Sequence, residues 1–254
     1  TTAQVLVDEA RGYALQVTGR QTPADVAHIR ALLEGAVRLE PAQPMAQLWL
    51  FELCLLRGDM ESACARIEVL RRALPGSQSV FSQWLSLGQD AIQTLEEREA
   101  WLTAQLAAAS TPPQRSQVFA QLARAALLRL DRPRAEDFLR QARQHDPDNP
   151  AVALLAIELL PEQATPEQEI EALLEAMRVN PLRVDLVWRT AELLDQLGLS
   201  EPAWTFYDHA VRVNAASGGE MSAEKLYRLA QNHLARGHEE GAITQTALAI
   251  NRRD

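Results

Sequence analysis

Residues 176–181 read Ala-Met-Arg-Val-Asn-Pro, and thirty-four residues later 210–215 read Ala-Val-Arg-Val-Asn-Ala. The same kind of phrase stands at 36–41, Ala-Val-Arg-Leu-Glu-Pro, and at 142–147, Ala-Arg-Gln-His-Asp-Pro. A weaker copy, Leu-Arg-Arg-Ala-Leu-Pro, occupies 70–75. The last positions of these phrases are 41, 75, 147, 181 and 215, so the steps are 34, 72, 34 and 34. Seventy-two is two periods and four residues, and Pro112-Pro113-Gln114-Arg115 reads as a loop that absorbs the four. A fixed step of this length along most of a chain marks a stack of like supersecondary units.

Each unit carries a break near its middle. Arg57-Gly58-Asp59, Leu130-Asp131-Arg132-Pro133, Leu197-Gly198-Leu199-Ser200 and Arg236-Gly237-His238 split the units into two runs. Within the runs apolar residues recur every three or four positions, the spacing of an amphipathic helix. Glycine at a break takes the left-handed conformation that ends a helix. Thr165-Pro166-Glu167-Gln168 has the parts of a helix start: a threonine cap, a proline in the first turn and a glutamine three residues on. Thr22-Pro23 and Ser200-Glu201-Pro202 look like variants of it. Alanine recurs at one repeat position at Ala63, Ala135, Ala203 and Ala242, and at the repeat position seven residues further on at Ala142, Ala176, Ala210 and Ala249. Small side chains at fixed places let the two helices of a pair approach closely.

Thirty-four residues, a helix pair, Gly-Asp at the inner turn, alanine at the close contacts and proline after the second helix resemble the tetratricopeptide repeat (TPR). Leu50, Gly58, Ala63 and Pro75 fall at repeat positions 7, 15, 20 and 32 of a unit that starts at Pro44. Leu122, Ala123, Ala135, Ala142 and Pro147 match in a unit from Ser116, as do Ala191, Gly198, Ala203, Tyr207 and Ala210 in one from Val184. The units from 78 and 150 depart from the pattern, with Glu97 and Glu169 where the small residue belongs. The resemblance implies an all-α fold, a right-handed α-α superhelix of antiparallel helix pairs in one solenoid domain over 1–254. Its units run 1–43, 44–77, 78–111, 116–149, 150–183, 184–217 and 223–254, with insertions at 112–115 and 218–222. No helix pair can bury its apolar face alone, so each depends on its neighbours.

The chain opens Thr1-Thr2-Ala3 without an initiator methionine, and the last unit ends without a covering helix. The expectation is a segment of a longer chain that continues past Asp254. Apolar residues make up 47% and charged residues 23% of the 254, which is the balance of an ordered protein. No apolar run approaches 18 residues, so no membrane insertion is expected. The formal charge of −9 argues against nucleic acid as a partner, which calls for a basic face. Twenty-four of the 25 basic residues are arginine, and Lys225 is the exception. The most Arg-rich unit, 116–149, still balances to about +1, whereas 150–183 carries −4. Cys54 and Cys64 read as small buried hydrophobes.

Signs of chemistry are sparse. Gly218-Gly219 reads as a turn and not as a phosphate loop. His233 and His238 are five apart, off any shared helical face, and His145 suits the negative end of a helix. Glu167, Glu169 and Glu171 fall in the first turns of a helix, where negative charge is stabilised; Glu175 lies further along. No catalytic residue, metal or cofactor is expected. The resemblance instead implies a concave groove lined by the first helix of each pair. The groove positions are Trp49 and Glu52, Gln83, Gln121 and Arg124, and Glu158. They continue with Trp188, Arg189 and Glu192, then Tyr227, Arg228 and Gln231. Aromatic, arginine and glutamate side chains are what a protein or peptide interface uses. The densest cluster joins Trp188, Arg189 and Glu192 to Tyr227, Arg228 and Gln231. The set of lysine and asparagine with which one TPR subclass grips a C-terminal carboxylate is missing. By family analogy the expectation is a non-catalytic interaction scaffold, with a bacterial envelope or polysaccharide-secretion assembly as one home. The alternative is a substrate-positioning region of a larger enzyme such as a glycosyltransferase.

Overall fold

In the computed structural model, which describes residues 1–20, 22–216 and 218–251, the chain forms fourteen α-helices and, among those residues, no strand. The helices gather into two compact units, one of residues Thr1–Asp146 and one from Pro147 onward. The first holds α1 (Thr2–Gln16), α2 (Pro23–Leu39), α3 (Pro44–Leu56), α4 (Met60–Ala73), α5 (Gln78–Asp90), α6 (Leu95–Gln105), α7 (Pro112–Leu128) and α8 (Arg132–His145). The second holds α9 (Pro150–Glu158), α10 (Pro166–Val179), α11 (Val184–Gln196), α12 (Ser200–Ala216), α13 (Ala223–Ala235) and α14 (Glu239–Asn251). Residues 252–254 of the last repeat lie outside the described residues.

The helix ends follow from the local chemistry read in the sequence. Thr165 and Thr22 each close a capping box, with Gln168 and Asp25 reaching back to the cap N–H. Gly58, Gly198 and Gly237 sit at the inner turns with φ of +70°, +75° and +76°. Asp59 then caps α4 by accepting from the Ser62 N–H at 3.1 Å. The start at Ser200 differs: α12 includes Ser200, one residue earlier than the pattern places it.

The loop expected at 112–115 is helix instead. Thr111 caps α7 by accepting from the Gln114 N–H, and Pro112 takes the first position, where no N–H is required. The four extra residues thus add about one helical turn. Gln114 is fully buried, and its Nε2 donates to the Pro75 carbonyl at 2.8 Å. Its Oε1 accepts from the Ser110 N–H at 2.8 Å and from Ser110 Oγ at 3.0 Å. One amide therefore ties the α4–α5 turn to the start of α7.

The recurring alanines are all buried, and they decide how tightly each pair closes. Pairs with Ala63, Ala135, Ala203 or Ala242 at the crossing have many close backbone approaches, whereas α5/α6 and α9/α10 have far fewer. Those are the two pairs with Glu97 and Glu169 in that place. In α5/α6 a tryptophan fills the gap: the Trp101 ring lies so close to Gly88 that any Cβ there would overlap it. Trp101 tilts against Trp84, which also carries the Arg71 guanidinium 4.6 Å from its ring centre. The rest of the first unit's core is aliphatic and aromatic, including Leu33, Leu50, Phe51, Ile67 and Leu85. Each such side chain contributes about 1.5–3 kcal/mol of burial. Cys64 corrects the reading of both cysteines as buried: it is exposed and Cys54 is half-buried, because Ala63, Ile67 and Leu70 take the core face of α4.

Candidate functional site

Within the second unit, α11 and α13 are the first helices of successive pairs and stand 39 residues apart, one period plus the five-residue insertion. Their facing sides surround a pocket of about 390 Å³. Trp188 and Glu192 come from α11, and Tyr227, Arg228 and Gln231 from α13. Five of the six residues in the densest sequence cluster therefore line one cavity. Arg189 does not: it turns to Glu169 of α10, donating through Nε at 2.7 Å and through its second nitrogen at 3.1 Å.

The pocket has a fixed base and a free rim. Trp188 is 5% exposed, packed edge-on against Tyr207 at 4.8 Å, and its Nε1 donates to Glu192 at 2.8 Å. Burial pushes the Tyr207 phenol above its ordinary pKa, against the opposite influence of Arg228, whose Nε lies 3.4 Å from the hydroxyl. Arg228 also faces Asp195 at 3.7 Å. Tyr227 is 55% exposed, and neither it nor Gln231 makes a side-chain hydrogen bond among the described residues.

Sequence reasoning missed Lys225 and Glu224. Lys225 Nζ lies 5.3 Å from the centre of the Trp188 ring, so a cation already covers part of the indole. The signal was available: Lys225 precedes Arg228 by three residues and so shares its side of α13.

The other groove candidates do not join this pocket. Gln83 and Arg124 are exposed on α5 and α7, Gln121 is half-buried on α7, and Glu158 is exposed at the end of α9. Trp49 and Glu52 line a separate pocket of about 160 Å³ among α1, α2 and α3. The histidines turn out differently from their spacing. His233 and His238 share no helical face, yet the α13–α14 turn brings their ring centres to 6.1 Å. Among the described residues no three His, Cys, Asp or Glu side chains converge. His145, the last residue of α8, stacks on Phe119 with ring centres 5.5 Å apart.

The fold has counterparts among solved structures. Pseudomonas aeruginosa pilF superposes with a TM-score of 0.52 at 19% identity, over 79% of this chain and 87% of that one. The fold is TPR-like. Human IFIT1, solved as a dimer with m7Gppp-AAAA, superposes at 0.51 and 14% identity, over 98% of this chain and 58% of that one. A tetratricopeptide repeat protein from Parabacteroides merdae aligns over 99% of this chain and 93% of its own at 14% identity, with a TM-score of 0.47. No family model and no curated protein sequence matches the chain. Among the described residues no helix is long and apolar enough to cross a membrane.

Proposed function

We propose that this chain is a non-catalytic protein-interaction scaffold that binds a peptide or protein segment at the α11/α13 pocket. The observation that carries the reading is the meeting of Tyr227, Gln231, Arg228 and Glu192 around one open cavity over a rigid Trp188–Tyr207 base. A base that is already packed loses little freedom on binding, and an exposed tyrosine supplies contact area at low entropic cost. Opposite charges on the walls, Glu192 and Glu224 against Lys225 and Arg228, select the register of an extended segment. The setting we propose, an envelope or polysaccharide-secretion assembly, rests on the family resemblance alone.

The test is quantitative affinity capture with the purified chain and a Tyr227→Ala/Gln231→Ala variant of equal melting temperature. A protein partner held by the first and lost by the second supports the reading, once it binds the purified chain directly. Retention of every partner by the variant overturns it. Because the IFIT1 structure holds m7Gppp-AAAA, a capped oligonucleotide is titrated in parallel. Saturable binding of that oligonucleotide, sensitive to the same two substitutions, would replace a peptide with an RNA as the ligand.

A further inference from the structure

The pocket among α1, α2 and α3 has a different chemistry from the one between α11 and α13. Its walls are Ala14 from α1, Val26 and Ile29 from α2, and Trp49, Leu53 and Leu56 from α3. Glu52 is the charged member of the lining. At the mouth Leu56 is 84% exposed, so apolar surface continues out of the pocket into solvent. The cavity measures about 160 Å³. An apolar cavity of about 150 Å³ lined by aliphatic side chains accepts benzene, so this one fits a phenyl or an isobutyl group.

Glu52 decides what stands next to that group. It is exposed, and it makes no hydrogen bond or ion pair among the described residues. On α2, Arg30 pairs with Glu34 at 2.7 Å and Asp25 accepts from Tyr13 at 2.6 Å, so neither is paired with Glu52. Glu52 is thus a carboxylate left over beside an apolar hole. A cation beside an inserted side chain is favoured there, and an anion is disfavoured.

We propose that the α1–α3 pocket is a docking site for a peptide that inserts one phenyl or branched aliphatic side chain and places an arginine or lysine against Glu52. It is distinct from the α11/α13 pocket and stands or falls without it. An anchor in a pocket with a charged neighbour is the arrangement that concentrates binding energy in few residues.

Three capped dipeptides test it: N-acetyl-Phe-Arg-amide, N-acetyl-Phe-Glu-amide and N-acetyl-Ala-Arg-amide, each titrated against the chain labelled at Ile, Leu and Val methyls. The Phe-Arg probe is expected to shift the methyl signals of Val26, Ile29 and Leu53. The Phe-Glu probe is expected to bind about two- to fivefold more weakly, and Ala-Arg to leave those methyls in place. Glu52→Gln then brings the two Phe probes to equal affinity without moving the apolar contacts. Because Glu52 is exposed, the variant is expected to fold, and its unperturbed methyl spectrum verifies that. Three results overturn the proposal: no methyl shift with Phe-Arg, equal shifts with Ala-Arg, or equal affinity of Phe-Arg and Phe-Glu for the unaltered chain.

Discussion

Leu130 occupies the same left-handed backbone position as Gly58, with φ of +61° against +70°, two periods and four residues further along the chain. Both stand at the inner turn of a helix pair, and the aspartate that follows each one caps the next helix. A side chain in that conformation costs about 1–2 kcal/mol that glycine avoids. Leu130 is 91% exposed, so its side chain returns almost nothing through packing. Replacing it with glycine gives up about 0.5–1 kcal/mol of chain entropy and removes the strain. Leu130→Gly is therefore expected to stabilise the chain by about 0.5 kcal/mol, read as a raised midpoint in urea with an unchanged slope. Gly58→Leu is expected to shift the midpoint the other way.

The amide of Gln114 predicts a larger effect. Gln114→Leu keeps most of the volume but leaves the Ser110 N–H without its partner and removes one of two donors from the Pro75 carbonyl. Ser110 is exposed, so water can reach its N–H, and each hydrogen bond lost costs its net contribution of about 0.5–1.5 kcal/mol. The urea midpoint is expected to fall accordingly, and amide exchange at Ser110 to accelerate. An unchanged midpoint would mean that water replaces the amide without penalty.

Much of this was legible in the sequence, and the exceptions have causes. Thr22-Pro23 and Thr165-Pro166 named their helix starts because a cap is a contact between residues three apart. Buried alanine at the crossings followed from the period, and Glu97 and Glu169 marked the loosely closed pairs. Pro112-Pro113 misled, because proline reads as a loop residue yet suits the first turn of a helix once Thr111 caps it. The side of α4 that Cys64 takes depended on which stripe the neighbouring helices cover. Of the site, the cluster on α11 and α13 was visible because both helices keep one register. That Arg189 turns to α10 was not, because its partner Glu169 belongs to the preceding pair. The apolar walls around Trp49 come from three helices, and no local pattern joins Ala14 to Leu53.

Trp188 and Tyr227 line the same pocket but are expected to separate in their effects. Trp188→Ala removes a ring packed on Tyr207 and is expected to cost about 3–5 kcal/mol. Any loss of binding in that variant is a loss of the site's base. Tyr227→Ala removes a largely exposed ring and is expected to change stability by no more than about 0.5 kcal/mol. Thermal melts of the two variants side by side check the distinction. If Tyr227→Ala melts as early as Trp188→Ala, the tyrosine belongs to the core and the pocket has no free aromatic rim.

The contact between Tyr13 and Asp25 gives the chain a defined acid response. Asp25 accepts from the Tyr13 hydroxyl at 2.6 Å, and its other oxygen accepts from Thr22. The Tyr13 bond first, and the Thr22 bonds after it, hold the Asp25 carboxyl below its ordinary pKa. The same bond raises the Tyr13 phenol. A depressed carboxylate stabilises the fold above its unfolded-state pKa, and that contribution is lost as pH falls through the folded-state value. The phenol acts with the opposite sign, supporting the fold below its unfolded-state pKa and ceasing to do so as pH rises through the raised one. Tyr13→Phe is therefore expected to shift the Asp25 titration upward, towards an unperturbed aspartate, when followed by carboxyl carbon chemical shifts. Its destabilisation is expected near neutral pH and to shrink in strong acid, where Asp25 is protonated in both chains. A titration of Asp25 that the substitution leaves in place would assign the shift to the Thr22 cap alone.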